Sequence, residues 1–509
     1  MSDLRPIYLD FVAHFAQTTP DKCAVRDLAQ GKVFTYRDFD DAVQRAAAVL
    51  RSLLSEPTGQ RVAVLSRNRV EMLIIHFACI RTGAIFVPIN WRLATAEVEY
   101  IVGDCRPAVI FVEPDLEALL GDVAVDRVMI EDRADGLSAR MAGITLAPSS
   151  RKSAVAPETP ITILYSSGTT GKPKGVIVTQ MNAFAGSLNL SLDMHCGVDS
   201  IFLCDMPLFH TAGLFAAART PLSVGGTLLL SQKFDAQTTY ERLSDPTLRI
   251  THYFCVTQMA MSMRQLPGFD GRKLTHLTAL ITGGAPNPEA HVRRWLNEGV
   301  PMINGWGMSE IGSATAQPLG DLDRLLAHAS AIGFPHLTLE MKLINASGQE
   351  SAPGEPGEIW VRGPSVTPGY WERPELNAQA FSDGWFKTGD VAVRDADGFY
   401  TLVDRIKDMF ISGGENVYPA EVEAVIVELE GVGDVAVVGV PDERWGEVGV
   451  AFVVFAANAR LDAAAVQAHC AARLAKYKLP RHITVIESLP RTPSGKVQKH
   501  LLRDSWRRP

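Results

Sequence analysis

Tyr165-Ser166-Ser167-Gly168-Thr169-Thr170-Gly171-Lys172-Pro173-Lys174-Gly175 packs four small hydroxyl residues, three glycines and two lysines into eleven positions between two apolar runs. Glycine admits backbone with φ > 0 and lets a ligand approach main-chain N–H groups with no Cβ in the way, while hydroxyls and lysines supply donors and positive charge. Such a loop suits a polyphosphate. Its spacing is not that of the G-x-x-x-x-G-K-[ST] loop: Gly168 to Lys172 is too short, and Pro173 stands where a hydroxyl residue should follow the lysine. The flanks, 161–165 and 175–179, are rich in β-branched residues, so the loop is expected to join strand to strand instead of opening a helix. Phosphates would then be held without a helix dipole.

A chain of 509 residues exceeds what one hydrophobic core usually supports, so at least two domains are expected, and 47% apolar content is ample to fill them. The start, Met1-Ser2-Asp3-Leu4-Arg5-Pro6, lacks a basic segment followed by an apolar one, and runs such as Met72-Leu73-Ile74-Ile75 break long before 18 residues. No targeting segment and no membrane span are expected. Seven cysteines without C-x-x-C spacing argue against a disulfide framework or zinc site and for a reducing cytoplasm. A net charge of −8 does not suggest a general nucleic-acid binder, and no nucleic-acid partner is expected.

Residues 1 to about 160 alternate helix-like and strand-like patterns: a helix over 36–54, a strand over 61–65, a helix over 71–82. That alternation predicts an α/β architecture with parallel pairing, resumed over 200–318. Ligands in such sheets lie beyond the carboxyl ends of the strands. After Pro318 short strands with turn signals predict a small β-rich subdomain over about 319–403, closing a large N-terminal domain of residues 1–403. From Asp404 a smaller α+β C-terminal domain is expected, with a helix opening at Pro419, strands over 435–440 and 450–455, and a helix over 463–475. Gly283-Gly284-Ala285-Pro286 and Asn304-Gly305-Trp306-Gly307-Met308-Ser309-Glu310 each follow an apolar strand, and as small-residue turns they would admit a flat ring.

The loop at 165–175 resembles the signature loop of the adenylate-forming superfamily, which includes acyl-CoA synthetases, luciferases and peptide-synthetase adenylation domains. Six motifs occur in family order, and the resemblance runs nearly end to end. It implies that Ser166, Ser167, Gly168, Thr169, Thr170, Gly171, Lys172 and Lys174 cradle the phosphates of ATP, with Thr169 among the catalytic residues. It implies further that Gly284, Ala285 and Pro286 line one side of the adenine and Trp306 the other, within the segment Asn304, Gly305 and Gly307. Ser309 would reach phosphate and Glu310 would hold Mg²⁺, a hard ion that takes one or two carboxylates plus substrate phosphates. Asp390 and Arg405 correspond to the ribose-binding pair. Lys407 occupies the hinge position, and Gly413, Gly414 and Glu415 form the glycine loop that follows it. Lys496, in Pro493-Ser494-Gly495-Lys496, corresponds to the catalytic lysine bridging the substrate carboxylate and the α-phosphate. His210 matches a position beside the acyl pocket, whereas Gln180 departs from the histidine often found after the second strand.

The implied activity is ATP-dependent, AMP-forming ligation of a small-molecule carboxylic acid to coenzyme A through an acyl-adenylate. A carrier-protein loader is the alternative, disfavoured because the chain stops thirteen residues after Lys496 with no fused carrier domain. No feature demands a luciferase-like oxygenation, and a non-catalytic binder would have lost Lys496, Glu310 or the phosphate loop. The S-G-G-E-N-V-Y-P loop is closest to that of fatty-acyl and hydroxycinnamate ligases. The pocket candidates Leu214, Phe215, Phe254, Val256 and Gly283 are apolar or small, which favours a hydrophobic monocarboxylic acid, because a second buried carboxylate would want an Arg or Lys partner. Aliphatic and aryl tails, and a homodimer, are left open.

Overall fold

The computed structural model describes residues 10–131, 134–146, 156–166, 173–285, 287–413, 415–456, 459, 461–491 and 497–506. The apolar run Arg61–Leu65 forms a strand with parallel neighbours Ile85–Ile89 and Val109–Val112, as expected where crossover helices cover both faces. Period-2 alternation sorts its side chains into two cores. Val62 and Val64 enter the main core, and Ala63 and Leu65 enter a second one on the opposite face. Asp126–Met129 extends this sheet at one edge; at the other, Pro160–Ser166 and Lys174–Thr179 make it six-stranded.

Those last two strands pair antiparallel, with Ser166 opposite Lys174, so the phosphate-type loop does join strand to strand. The helix Val70–Thr82 has every residue buried, the signature of a helix enclosed on all sides. The helix expected over 36–54 is Tyr36–Leu53, opened by a capping box between Thr35 and Asp38.

A second sheet of nine strands departs from the expected order. The strands over 200–318 do resume the α/β pattern, but their sheet also takes in the N-terminal hairpin Cys23–Asp27 and Lys32–Thr35, with Val25 parallel to Leu228. The first 160 residues therefore supply strands to two sheets. The segment expected as a turn at 304–310 differs too. Met302–Met308 runs on as strand and pairs antiparallel with Gly312–Ala316, placing Gly307 opposite Ser313. The small residues serve close strand crossing: a Cβ on Gly307 would lie 2.1 Å from the Gly312 carbonyl oxygen.

Residues 340–405 form a five-stranded antiparallel sheet, the expected β-rich unit. The strand Tyr400–Arg405 carries the chain out of it through a turn at 406–408. The smaller C-terminal sheet follows, built on the long hairpin Val432–Asp442 and Gly446–Phe455. Helices Pro419–Val427 and Ala463–Ala471 cover one face, and Leu489, Leu502 and Trp506 pack on the other. The strand expected over 435–440 is longer than its apolar centre, and the helix expected over 463–475 ends at Ala471. The molecule is an α/β protein with a large N-terminal domain and a smaller C-terminal one.

Candidate active site

A cavity of about 420 Å³ opens beyond the ends of the central strands of the nine-stranded sheet. It gathers Ser166, His210, Gly284 and Gly305 from the expected residues, and Trp306, Gly307, Ser309 and Glu310 from the strand and turn that follow. One end is polar, at Ser166, Ser309 and Glu310. The other is apolar, walled by Leu190, Phe215, Phe234, Phe254, Val256 and Met259.

At the polar end the Ser166 Oγ is buried with no hydrogen-bond partner among the described residues, a donor that a phosphate oxygen would satisfy. Lys174 places its Nζ 3.4 Å from Glu310 Oε1 and 3.8 Å from the centroid of the Tyr370 ring. The Tyr370 hydroxyl donates to the same Glu310 oxygen at 2.9 Å, and the Thr367 N–H donates to the Glu310 carbonyl at 2.7 Å. Glu310 is thus a buried carboxylate aimed by Lys174 and Tyr370, with its backbone carbonyl held by Thr367. Burial, then the nearby Glu310 charge, pushes the Tyr370 hydroxyl well above its ordinary range, so it stays a donor. Gly284 holds φ +83, a left-handed conformation that turns the chain at the cavity wall.

Trp306 lines the cavity, yet its indole N–H donates to Asp390 Oδ2 at 2.8 Å, while Asp390 Oδ1 lies 2.9 Å from Arg405 Nε. Asp390 and Arg405, expected to bind ribose, are therefore in contact with each other, and Trp306 ties Asp390 to the cavity wall. Asn304 stands apart from the cavity. Its amide accepts from Thr282 and Asn287 and donates to the carbonyls of Ala329 and Ala331, so it braces the sheet edge. Ala285 is exposed, its carbonyl accepting from Thr257 Oγ1.

His210 borders the apolar end and precedes a π-helix over Ala212–Arg219, a rare wide turn found frequently at functional sites. Phe215, Phe254, Val256 and Gly283 line the cavity as expected, and Leu214 is buried behind it. Gln180 opens the helix Gln180–Asp193, turned into the protein interior, off the cavity wall. Three residues that composition and motif do not flag complete this region. Arg219 is buried at 1% exposure behind Phe215, caged by the rings of Phe11, Phe77 and Phe215, and burial pulls its pKa down to about 9. His76 Nε2 lies 3.0 Å from its guanidinium, and burial, then the Arg219 charge, holds that imidazole neutral. Asp205, at the cavity wall, accepts from Thr239 and Tyr253, and burial raises its pKa to about 6.

Ser167, Gly168, Thr169, Thr170, Gly171, Lys172, Pro286, Gly414 and Lys496 lie outside the described residues. Their flanks are placed: Arg491 and Val497 form an antiparallel bridge on either side of 492–496. Lys407 sits exposed in the turn after Arg405. Gly413, at φ +61, donates its N–H to the Trp445 carbonyl, and Glu415 begins the short strand Glu415–Val417. All seven cysteines are free, and among the described residues no three His, Cys, Asp or Glu side chains converge as a metal cage. No helix among them is long and apolar enough to cross a membrane.

A buried acidic anchor and an orphaned serine on the wall of a cavity that also has an apolar chamber, with a paired Asp–Arg tied to that wall through Trp306, suit a nucleotide-dependent enzyme of carboxylic acids. The AMP-binding enzyme family matches residues 12–371 and the AMP-binding enzyme C-terminal domain matches 421–496, and the chain belongs to this family. It is similar to a feruloyl-CoA synthase of Amycolatopsis sp, 36% identical over 96% of both chains. An indoleacetate–CoA ligase of Aromatoleum aromaticum is 36% identical over 97% of both. Among solved structures, ATP-bound MatB from Rhodopseudomonas palustris superposes with a TM-score of 0.90 at 29% identity, covering 98% of this chain and 99% of that one.

Proposed function

We propose that this chain is an ATP-dependent, AMP-forming ligase that joins a hydrophobic monocarboxylic acid, aryl or fatty, to coenzyme A. The observation that carries the reading is one cavity lined by the phosphate-suited Ser166, Ser309 and Glu310, by the apolar Phe215, Phe254 and Met259, and by His210. The similarity to feruloyl- and indoleacetate-activating ligases supports an aromatic tail.

A carboxylate oxygen of the acid attacks the α-phosphorus of ATP; the bond to the β-phosphate oxygen breaks, giving acyl-adenylate and pyrophosphate. The coenzyme A thiol, losing its proton, then attacks the acyl carbon and expels AMP. Neither step needs a protein nucleophile, so positioning and electrostatics carry the catalysis. Asp390, held by Arg405 and Trp306, receives the ribose hydroxyls. Lys496 bridges the carboxylate and α-phosphate as charge builds. Magnesium fits here as a guest of the substrate: Glu310 is one buried hard-oxygen donor, so phosphate oxygens and water would complete its shell, and the ion would neutralise phosphate charge. Residues 1–403 form the ATP- and acid-binding part, and 404–509 rotate about Lys407 to exchange Lys496 for the Gly413-Gly414-Glu415 face that receives coenzyme A.

The test is pyrophosphate release with hydroxycinnamic, arylacetic, fatty and dicarboxylic acids, with and without coenzyme A, for wild type and Lys496→Ala. Coenzyme A-dependent turnover of a hydrophobic monoacid, lowered about 10²- to 10³-fold in the variant, is expected by analogy with a lost oxyanion donor. Adenylate formed at equal rates without coenzyme A would reassign the acceptor, and turnover confined to dicarboxylates would overturn the acid class.

A further inference from the structure

Ser313 lies on the strand Gly312–Ala316, which packs against the helix Gln180–Asp193, and lines the cavity. Its Oγ is 2.8 Å from Nε2 of His336, whose side chain is fully buried. The other ring nitrogen, Nδ1, contacts the carboxylate of Asp193, the last residue of that helix. Three residues far apart in sequence thus form a relay of carboxylate, imidazole and hydroxyl ending at the cavity wall.

The direction of this relay follows from donor and acceptor chemistry. A carboxylate only accepts, so the proton of a neutral His336 sits on Nδ1 and Nε2 is left with a lone pair. Ser313 must then donate its one proton to Nε2, and its own lone pairs are left for the cavity. Of the other polar side chains on the wall, Asn182, Ser365 and Thr367 are engaged with backbone carbonyls. The Asn182 amide donates to the carbonyls of Pro364 and Val366 and accepts from Thr179 N–H. Thr367 Oγ1 donates to the Ile177 carbonyl and accepts from Gly369 N–H, and Ser365 is 3% exposed.

Resting on the ligase reading above, we propose that Ser313 is a specificity-determining acceptor for an O–H or N–H donor on the tail of an aromatic acid. His336 and Asp193 are positioning residues that fix the serine's orientation. A buried acceptor facing a tail without a donor loses its hydrogen bond to water, so the relay discriminates in favour of hydroxylated or N–H-bearing rings.

Matched acids differing at one ring position test this: 4-hydroxycinnamate, its 4-methyl ether and unsubstituted cinnamate, assayed for kcat/KM with ATP and coenzyme A. The wild type should favour the phenol over the unsubstituted acid and the ether by about tenfold, the value of one hydrogen bond. Ser313→Ala should bring the ratio of phenol to unsubstituted acid near one by lowering phenol turnover alone. Asp193→Asn, which keeps the size but releases the tautomer, should shrink the ratio while cinnamate turnover and thermal unfolding stay put. A ratio unchanged in Ser313→Ala, or equal turnover of phenol and ether by the wild type, overturns the assignment and leaves the ligase standing. No turnover of any acid, with an arylacetic and a fatty acid included, overturns both.

Discussion

At the scale of single residues, Glu310 depends on what surrounds it. Removing the Tyr370 hydroxyl in Tyr370→Phe leaves the buried carboxylate aimed only by Lys174 and its own backbone. A hydrogen bond to a charged group is worth about 1.5–3 kcal/mol, so pyrophosphate release should fall roughly ten- to a hundredfold while the acid KM holds. An unchanged rate would remove Tyr370 from the site. Asp205 gives a prediction in pH. Its folded pKa is about 6 against an ordinary 3.8, so ionising it in place opposes folding. The wild type therefore gives up stability as pH rises from about 3.8, where the unfolded carboxyl ionises, to about 6, on the order of 3 kcal/mol for a two-unit shift, with no further loss above that. Asp205→Asn carries no such charge, and its melting temperature relative to wild type should improve between about pH 4 and pH 6 and then level off. A constant difference would mean that Asp205 does not titrate in this window.

At the scale of elements, the π-helix Ala212–Arg219 depends on Gly213, where a Cβ would lie 2.0 Å from the Pro207 carbonyl oxygen. Gly213→Ala must displace the wall that carries His210 and Phe215, so the acid KM should rise while ATP binding, measured by isothermal titration, is unaffected. The enclosed helix Val70–Thr82 predicts the opposite pattern. Ile75→Ala should cost about 2–5 kcal/mol in denaturant unfolding and leave both KM values near wild type. These elements also mark what was legible in the sequence. Arg61–Leu65, the hairpin around the phosphate loop and the β-rich unit were readable because their signals are local: β-branched runs, glycine turns, period. Residues 304–308 read as a turn following the apolar 300–303, since their glycines signal flexibility in sequence but serve close crossing in the strand Met302–Met308. Glu310, Asp390 and Arg405 were legible through motif likeness alone. The Asp193–His336–Ser313 relay and the Arg219 cage were not, because each is assembled from residues with no shared spacing.

At the scale of the whole molecule, the turn after Arg405 is the narrow link between the β-rich sheet and the C-terminal unit. Its backbone bonds run from the N–H groups of Ile406, Asp408 and Met409, so a proline at 407 removes none of them but fixes φ near −65°. Lys407→Pro should leave the first half-reaction close to wild type and slow thioester formation at least tenfold, read by trapping the adenylate and then adding coenzyme A. Equal slowing of both halves would place the moving joint elsewhere. The nine-stranded sheet has a consequence of another kind. Its edge hairpin, residues 23–35, leaves the ribosome early, but the parallel partner Thr227–Leu230 is about 200 residues downstream. At roughly 5–20 residues per second the nascent hairpin waits some 10–40 s with an unpaired edge. During that interval Val25 and its neighbours are exposed to the cell's chaperones, and translation speed through residue 230 sets how long that exposure lasts.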